Sequence, residues 1–314
     1  MPGHPKSPVS LDILVVGAGL SGLAAAISCA LSGHNVTIFE SAEQLLEIGA
    51  GLQVTPNSSR LLQQWDLPDK LWESAAEPTH LAVHRYSGEV LAMEENFDQK
   101  MREKYGAPFI DLYRVDLQLS LYARAKELGV QFRLGHKVET IDFNIPELTT
   151  QTRLTARGDL IVAADGLWSG CRSCFTGTKE QPRPTGDLAY RIVLDLDDIQ
   201  DPDLRAWVSN PSVHFWIGPG AHAVGYSIAA GRVFNLVLLV PDDLPAGVSR
   251  QAGSVAEMQE LFRDWDPILS RFLSLVERVD KWKLMHRTTA AVPIVLSLNV
   301  LTCDCRGRIA FLDK

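Results

Sequence analysis

The chain has 314 residues, 46% hydrophobic and 22% charged, the composition of an ordinary soluble globular protein with room for about two domains. Its 30 Lys and Arg against 38 Asp and Glu leave a net charge of −8. That balance excludes a surface built for nucleic acid or an anionic membrane, which needs clustered basic residues.

Residues 1–10 are rich in Pro, Gly and Ser without an apolar core, and read as a disordered lead-in, not a secretion signal. Five cysteines without such a signal point to reduced thiols and a cytoplasmic setting. Cys29 falls inside an apolar helix pattern and reads as a small core residue. The pairs Cys171/Cys174 and Cys303/Cys305 lack the spacing and the histidines of a common zinc site, so no metal is expected.

Ile13-Leu14-Val15-Val16 reads as a short buried strand that runs into Gly17-Ala18-Gly19-Leu20-Ser21-Gly22 and then an alanine-rich helix. A second β-rich run at 35–39 delivers Glu40. This order suits an adenine dinucleotide. Gly17 makes the turn, Gly19 lets the backbone approach a pyrophosphate, and Gly22 lets helix and strand pack closely. The helix N-terminus faces the phosphates, and Glu40 can accept ribose hydroxyls. The pattern alone does not choose between FAD and NAD.

A second glycine-rich loop follows at 49–57, with Asn57 as the expected cap of a helix carrying Leu61, Leu62 and Trp65. Residues 79–93 read as a hairpin turning at Gly88, and 94–106 as a charged, solvated stretch. Residues 110–116 lead to Arg114 and then a helix with Leu117, Leu121, Ala125 and Leu128 on one face. Asp116 is its expected cap and Gly129 its stop.

Strands are expected at 130–134, 138–143, 153–156 and 160–164. The last ends in Asp165-Gly166, which places a carboxylate at the carboxyl end of a buried strand, where ligands bind in open α/β sheets. Pro182 and Pro184 mark a boundary. Strand-like stretches at 188–196, 213–217, 223–229 and 233–240 follow, then amphipathic helices at 255–262 and 267–276. The expected organisation is a lead-in at 1–10, a dinucleotide-binding domain at 11–181, a β-rich second domain at 182–283, and a last stretch at 284–314.

Several motifs in this order carry a resemblance. They are the glycine turn with Glu40, the 49–57 loop, Tyr113-Arg114-Val115-Asp116-Leu117, and Asp165-Gly166-x-x-Ser169-x-x-Arg172. Ala189-Tyr190-Arg191 follows, then Trp216-Ile217-Gly218-Pro219-Gly220-x-His222 and Gly225-Tyr226. Over about residues 11–287 the chain resembles the single-component FAD-dependent aromatic monooxygenases of the p-hydroxybenzoate and salicylate hydroxylase type. The resemblance implies an α/β fold with a Rossmann-like FAD-binding domain at 11–181, a β-rich substrate domain at 182–283 and an incomplete return to the first domain at 284–314. It implies FAD, NAD(P)H as co-substrate, O2 and a small phenolic or polyketide-derived aromatic substrate. Hydroxylation would run through a flavin C4a-hydroperoxide, in secondary metabolism. Gly17, Gly19, Gly22 and Glu40 would hold the ADP half, Gly51 would lie along the flavin, and Arg114 and Asp165 would contact the cofactor. Arg191 and Tyr226 match positions that hold a phenolic substrate, and no membrane or nucleic-acid partner is implied.

The family pattern breaks near Arg287. Relatives carry a strand followed by Gly-Asp-Ala, a second FAD motif. Here 307–312 looks like such a strand, but the glycine before Asp313 is absent. The apolar run at 290–300 falls short of the ~20 residues that span a membrane, and reads as a buried strand or short helix. Residues 288–306 read as unspliced or misassigned coding sequence. A second reading is therefore a truncated remnant of such an enzyme, with weak or no FAD binding.

Overall fold

The computed structural model describes residues 6–45, 50–287 and 300–302. The apolar run Ile13 to Val16 is buried from both sides because its strand, Asp12–Val16, lies at the centre of a five-stranded parallel sheet. Asn35–Phe39 pairs on one side and Leu160–Ala163 on the other, with Gln131–Arg133 and Val300–Thr302 at the edges. Parallel neighbours need a crossover, and the helix Leu20–Leu31 supplies the first. It packs with the helix Arg114–Glu127 on one face through Leu23, Ala26, Ile27, Leu117, Leu121 and Ala125. The other face is covered by a three-stranded antiparallel sheet and the short helix Gly170–Thr176, through Leu148 and Cys171.

A second, eight-stranded sheet runs in the order Arg250–Gly253, Val279–His286, Arg183–Asp195, Val233–Pro241, Ala221–Ile228, Ser212–Gly218, His80–Arg85, Val90–Glu95. Its strands alternate, so each presents one set of side chains to each face. Tyr190, Trp216 and Phe234 point to a back face covered by the helices Val255–Leu261 and Pro267–Ser274, with Phe262 and Phe272. Phe234 and Phe272 stack at 4.4 Å between ring centres. Burying each such ring contributes about 2–3 kcal/mol. Val213 and Tyr226 point to the front face, where they meet Phe97 and Phe109.

Between the two sheets lies a ribbon of two antiparallel strands, Gly51–Val54 and Ile110–Tyr113. Ile110 and Leu112 join the core of the parallel sheet, while Phe109 and Tyr113 join the front-face cluster of the large sheet. The ribbon therefore ties the two layers, and Ile110–Tyr113 packs directly on Ala221–Ile228.

Several expectations change. Residues 51–54 form a strand instead of an open loop, because Ile110–Tyr113 offers them a ladder. The helix after it starts two residues earlier than expected: Thr55 is its cap and Pro56 its first residue, a position proline suits. Asn57 is inside it. Likewise Arg114, not a residue past Asp116, opens the next helix; Tyr113 is the cap and Asp116 sits in the first turn, favourable to the helix dipole. The charged 94–106 stretch contains the helix Phe97–Tyr105, anchored by the buried Phe97. The strands His80–Arg85 and Val90–Glu95 turn at Gly88 (φ 96°) as expected, yet they pair into the large sheet and not with the parallel one. Ser7 and Ser10 of the lead-in are hydrogen-bonded to the carbonyls of Ser32 and Gly33, so residues 6–10 lie along the molecule, exposed but tied. Gly49, residues 1–5, the 290–299 run, the Cys303/Cys305 pair and the 307–312 strand lie outside the described residues.

Candidate functional site

Gly17 leaves its strand at φ 101°, a conformation that favours glycine, and a Cβ there would lie 2.5 Å from the carbonyl oxygen of Ala164. A Cβ at Gly22 would lie 1.9 Å from the carbonyl oxygen of Gly17. Both glycines are required by the chain's own packing. Gly19 differs: its φ is −70°, and a Cβ there would meet nothing within 4 Å. It caps the helix Leu20–Leu31 and, as a glycine, has no side chain that could accept from the first-turn N–H groups. Nothing in the fold demands a bare residue at Gly19. A phosphate drawn to the helix N-terminus would.

The turn is held from two sides. Glu40 Oε2 accepts from the Ala18 N–H at 2.7 Å, while its Oε1 accepts from the Ala42 N–H and the Ser41 hydroxyl, each at 2.8 Å. A carboxylate has about four acceptor positions, so Glu40 braces the turn and keeps capacity for one further donor, such as a ribose hydroxyl. From the opposite side Gln118 Nε2 donates to the carbonyl of Ala18 at 3.0 Å. Gln118 is a buried polar residue on an otherwise apolar helix face. That position was its only signal in the sequence.

Asp165 lies where its strand ends, beside the turn: a Cβ on Gly17 would come within 3.2 Å of its Cα. Its Oδ1 accepts from the Ser169 hydroxyl at 2.6 Å and its Oδ2 from the Cys171 N–H at 3.0 Å. Ser169 in turn caps the helix Gly170–Thr176 by accepting from the Arg172 N–H at 2.9 Å. The Asp-Gly-x-x-Ser-x-x-Arg pattern is thus a helix start held rigid next to the glycine turn. Arg287 fastens this loop, donating to the carbonyls of Leu167 and Glu180 at 2.6 Å each. Burial pushes the Cys171 thiol far up, and the Asp165 carboxylate adds to it, so this cysteine is inert.

The remaining residues gather where the ribbon meets the front face of the large sheet. The Gly51 N–H donates to Asn235 Oδ1 at 2.8 Å. A Cβ on Gly51 would lie 2.6 Å from Asn235 Cγ and 2.7 Å from Tyr226 Cε2. The chain itself fills the space beside Gly51, which accounts for the glycine without a flavin. Arg114 opens its helix beside the ribbon, its N–H bonded to the carbonyl of Ala50 at 3.0 Å.

Arg191 stands on the front face of the strand Arg183–Asp195, its guanidinium 5.3 Å from the centre of the Trp282 ring. Burial of that guanidinium lowers its pKa; nearby Arg114 lowers it further, and Tyr226 opposes both. It stays a cation at neutral pH. The Tyr226 hydroxyl is pushed up, first by burial and then by Asp111, with Arg191 opposing. Arg114, Arg191 and Tyr226 therefore share one electrostatic neighbourhood at the junction of the two layers.

Asp111 and Asn235 belong to this neighbourhood and were missed. Each is a polar residue inside an apolar strand, in Phe109-Ile110-Asp111-Leu112 and Val233-Phe234-Asn235-Leu236, and that interruption was the available signal. Both are at most 1% exposed. Among the described residues, Oδ2 of Asp111 and Nδ2 of Asn235 have no hydrogen-bond partner.

Comparison with known proteins places this geometry. Residues 10–257 match the family of the FAD binding domain. The FAD-dependent monooxygenase OpS4 of Beauveria bassiana is 50% identical over 280 residues, covering 88% of this chain and 66% of that protein. The 3-hydroxybenzoate 6-hydroxylase of Polaromonas naphthalenivorans is 28% identical over 284 residues, covering 90% of this chain and 69% of that protein. The chain thus spans about two thirds of the length of these curated relatives. Among solved structures, CtdE in complex with FAD and substrate 4 superposes with a TM-score of 0.79 at 20% identity, over 93% of this chain and 73% of that one. That likeness shows the p-hydroxybenzoate hydroxylase-like fold. The open Gly19, the uncapped helix start and the spare acceptor of Glu40 fit the ADP half of the family's cofactor. By its matched domain and its relatives, the chain belongs to the FAD-dependent monooxygenases.

Proposed function

We propose that the protein hydroxylates a small phenolic or polyketide-derived aromatic, using FAD, NAD(P)H and O2, and that it works in the cytoplasm. The observation that carries this reading is the placement of Arg191 and Tyr226 on the one sheet face that looks onto the ribbon of the FAD-binding layer. Relatives support it by name: besides the 3-hydroxybenzoate 6-hydroxylase, the hispidin-3-hydroxylase of Neonothopanus nambi is 30% identical over 297 residues. No described helix is long and apolar enough to cross a membrane.

Gly17, Gly19, Gly22 and Glu40 would hold the ADP half of FAD, and Arg114 and Asp165 would contact the cofactor. When bound, FAD supplies the redox chemistry that activates O2 with electrons from NAD(P)H. The chain's residues do the rest. The Arg191 cation, reinforced by Arg114, favours the phenolate form of the substrate over the phenol. The Tyr226 hydroxyl, kept protonated, donates a hydrogen bond to that phenolate oxygen and orients the ring. The apolar surroundings of Val213, Phe97 and Phe109 keep water from Tyr226 and strengthen its hydrogen bond.

The test is NAD(P)H consumption by the flavin-loaded protein across a panel of phenols, with ¹⁸O from labelled O2 counted in the product. A hydroxylated product is expected, and Arg191→Ala should lower kcat/KM by about 100-fold. Phenol-independent NAD(P)H oxidation that yields only hydrogen peroxide would overturn the proposal.

A further inference from the structure

Asp111 is fully buried, at 0% exposure, in the middle of the strand Ile110–Tyr113. Alternation puts its side chain on the same face as Phe109 and Tyr113, towards the large sheet, while Ile110 and Leu112 point to the other core. The backbone is fixed on both edges: Asp111 exchanges two backbone hydrogen bonds of 2.8 Å with Ala76 and lies opposite Gln53 in the ribbon. Its Oδ1 accepts one hydrogen bond from Gln53 Nε2 at 3.1 Å, and its Oδ2 has no partner among the described residues.

An ionised carboxylate in this position would be a buried charge with a single neutral donor, a costly arrangement. A carboxylic acid costs far less and carries an O–H that can donate. Burial accordingly holds the Asp111 carboxyl well above its ordinary range, and the Gln53 hydrogen bond offsets this only in part. The ionisable groups that face it are Tyr113 on its own strand, Tyr226 from Ala221–Ile228 and, past Tyr226, Arg191 and Arg114. The strand Gly51–Val54 contributes only the neutral Gln53. An ionised Asp111 raises the cost of negative charge at Tyr226, as the upward push on that hydroxyl records.

We propose that Asp111 is a positioning residue for Tyr226: buried as a carboxylic acid, it keeps the Tyr226 side of the cleft free of negative charge, and its ionisation disables phenolate binding there. The proposal rests on the phenol-hydroxylating reading for its consequence in turnover. The coupling between Asp111 and Tyr226 is a property of the chain alone.

The experiment uses the full chain with FAD and separates the two. Infrared difference spectra of wild type against Asp111→Asn should show a protonated-carboxyl C=O band at neutral pH that fades as pH rises. The ¹³Cζ resonance of Tyr226, assigned by its loss in Tyr226→Phe, should shift over the same pH range in wild type and stay flat in Asp111→Asn. Gln53→Leu removes the one donor that favours the carboxylate, so both transitions should move to higher pH, by about one unit. It keeps the test open should Asp111→Asn fail to fold. In turnover, wild type should lose activity as pH rises through this transition, while Asp111→Asn keeps it, a difference of about tenfold at the alkaline end. Absence of the carboxyl band at neutral pH, or a Tyr226 resonance that ignores its loss, would overturn the proposal. If no phenol is hydroxylated but band and resonance titrate together, the functional reading falls and the coupling stands.

Discussion

At the first glycine turn, the space that Gly19 leaves open meets no atom of the described residues within 4 Å, whereas the space beside Gly51 is filled by Tyr226 and Asn235. The two segments look alike in sequence, both glycine-rich and both just before a helix. One is open towards a ligand. The other is a joint, where the ribbon of the FAD-binding layer presses against the substrate sheet. Within the turn a further division holds, since Gly17 and Gly22 serve the fold and Gly19 does not. A glycine thus points to a ligand where its missing side chain is left unreplaced and its backbone, unlike that of the open turn glycines at positive φ, is one that any residue could adopt.

The sharpest way to break this comparison is Gly22→Ala. The new Cβ would overlap the carbonyl of Gly17, a backbone atom that cannot swing aside. A loss of about 3 kcal/mol or more is expected, read as the midpoint of denaturant unfolding. A variant as stable as wild type would show that the helix shifts freely on its strand. Gly51→Ala should come next, with a loss of about 1–3 kcal/mol, because the Tyr226 ring and the Asn235 amide can partly move. Displacing Tyr226 should lower hydroxylation more than it lowers FAD affinity. Were FAD affinity to fall first, Gly51 would belong with the ligand-facing class.

Glu40→Ala removes three hydrogen bonds at once, including the one to the Ala18 N–H. We expect about 1–2 kcal/mol of lost stability together with weaker FAD binding, measured by flavin fluorescence titration. Gly19→Ala should have the smallest effect on the fold, within about 0.5 kcal/mol, because its Cβ enters open space. Its FAD affinity should still fall, by about tenfold, as the methyl occupies the approach to the helix N-terminus. Unchanged affinity in this variant would remove the main structural reason for placing a phosphate there.

Much of the fold was readable from local pattern. The run Ile13 to Val16, the alanine-rich helix and the turn of the His80–Arg85 and Val90–Glu95 hairpin each depend on neighbours close in sequence. The order of strand, turn, helix and acid carried the dinucleotide site for the same reason. The helix starts at Thr55 and Tyr113 were misplaced because a polar residue two or three positions further on, Asn57 or Asp116, imitates a cap. Only the fixed geometry of Pro56 and the ribbon ladder decides which residue takes the role.

What local pattern determined, then, is the chemistry of the turn between Gly17 and Gly22 and the acid at Glu40, since backbone conformation and helix start are encoded within a few residues. Tertiary structure alone decided which hairpin joins which sheet and why Gly51 must be bare. It also decided that Asp111, Asn235 and Gln118 are buried at the site. The hydrogen bond from Gly51 to Asn235 spans 184 positions and that from Gln118 to Ala18 spans 100. Such contacts form between segments whose own sequences hold no trace of one another, and they exist because two hydrophobic sheets must share the ribbon between them.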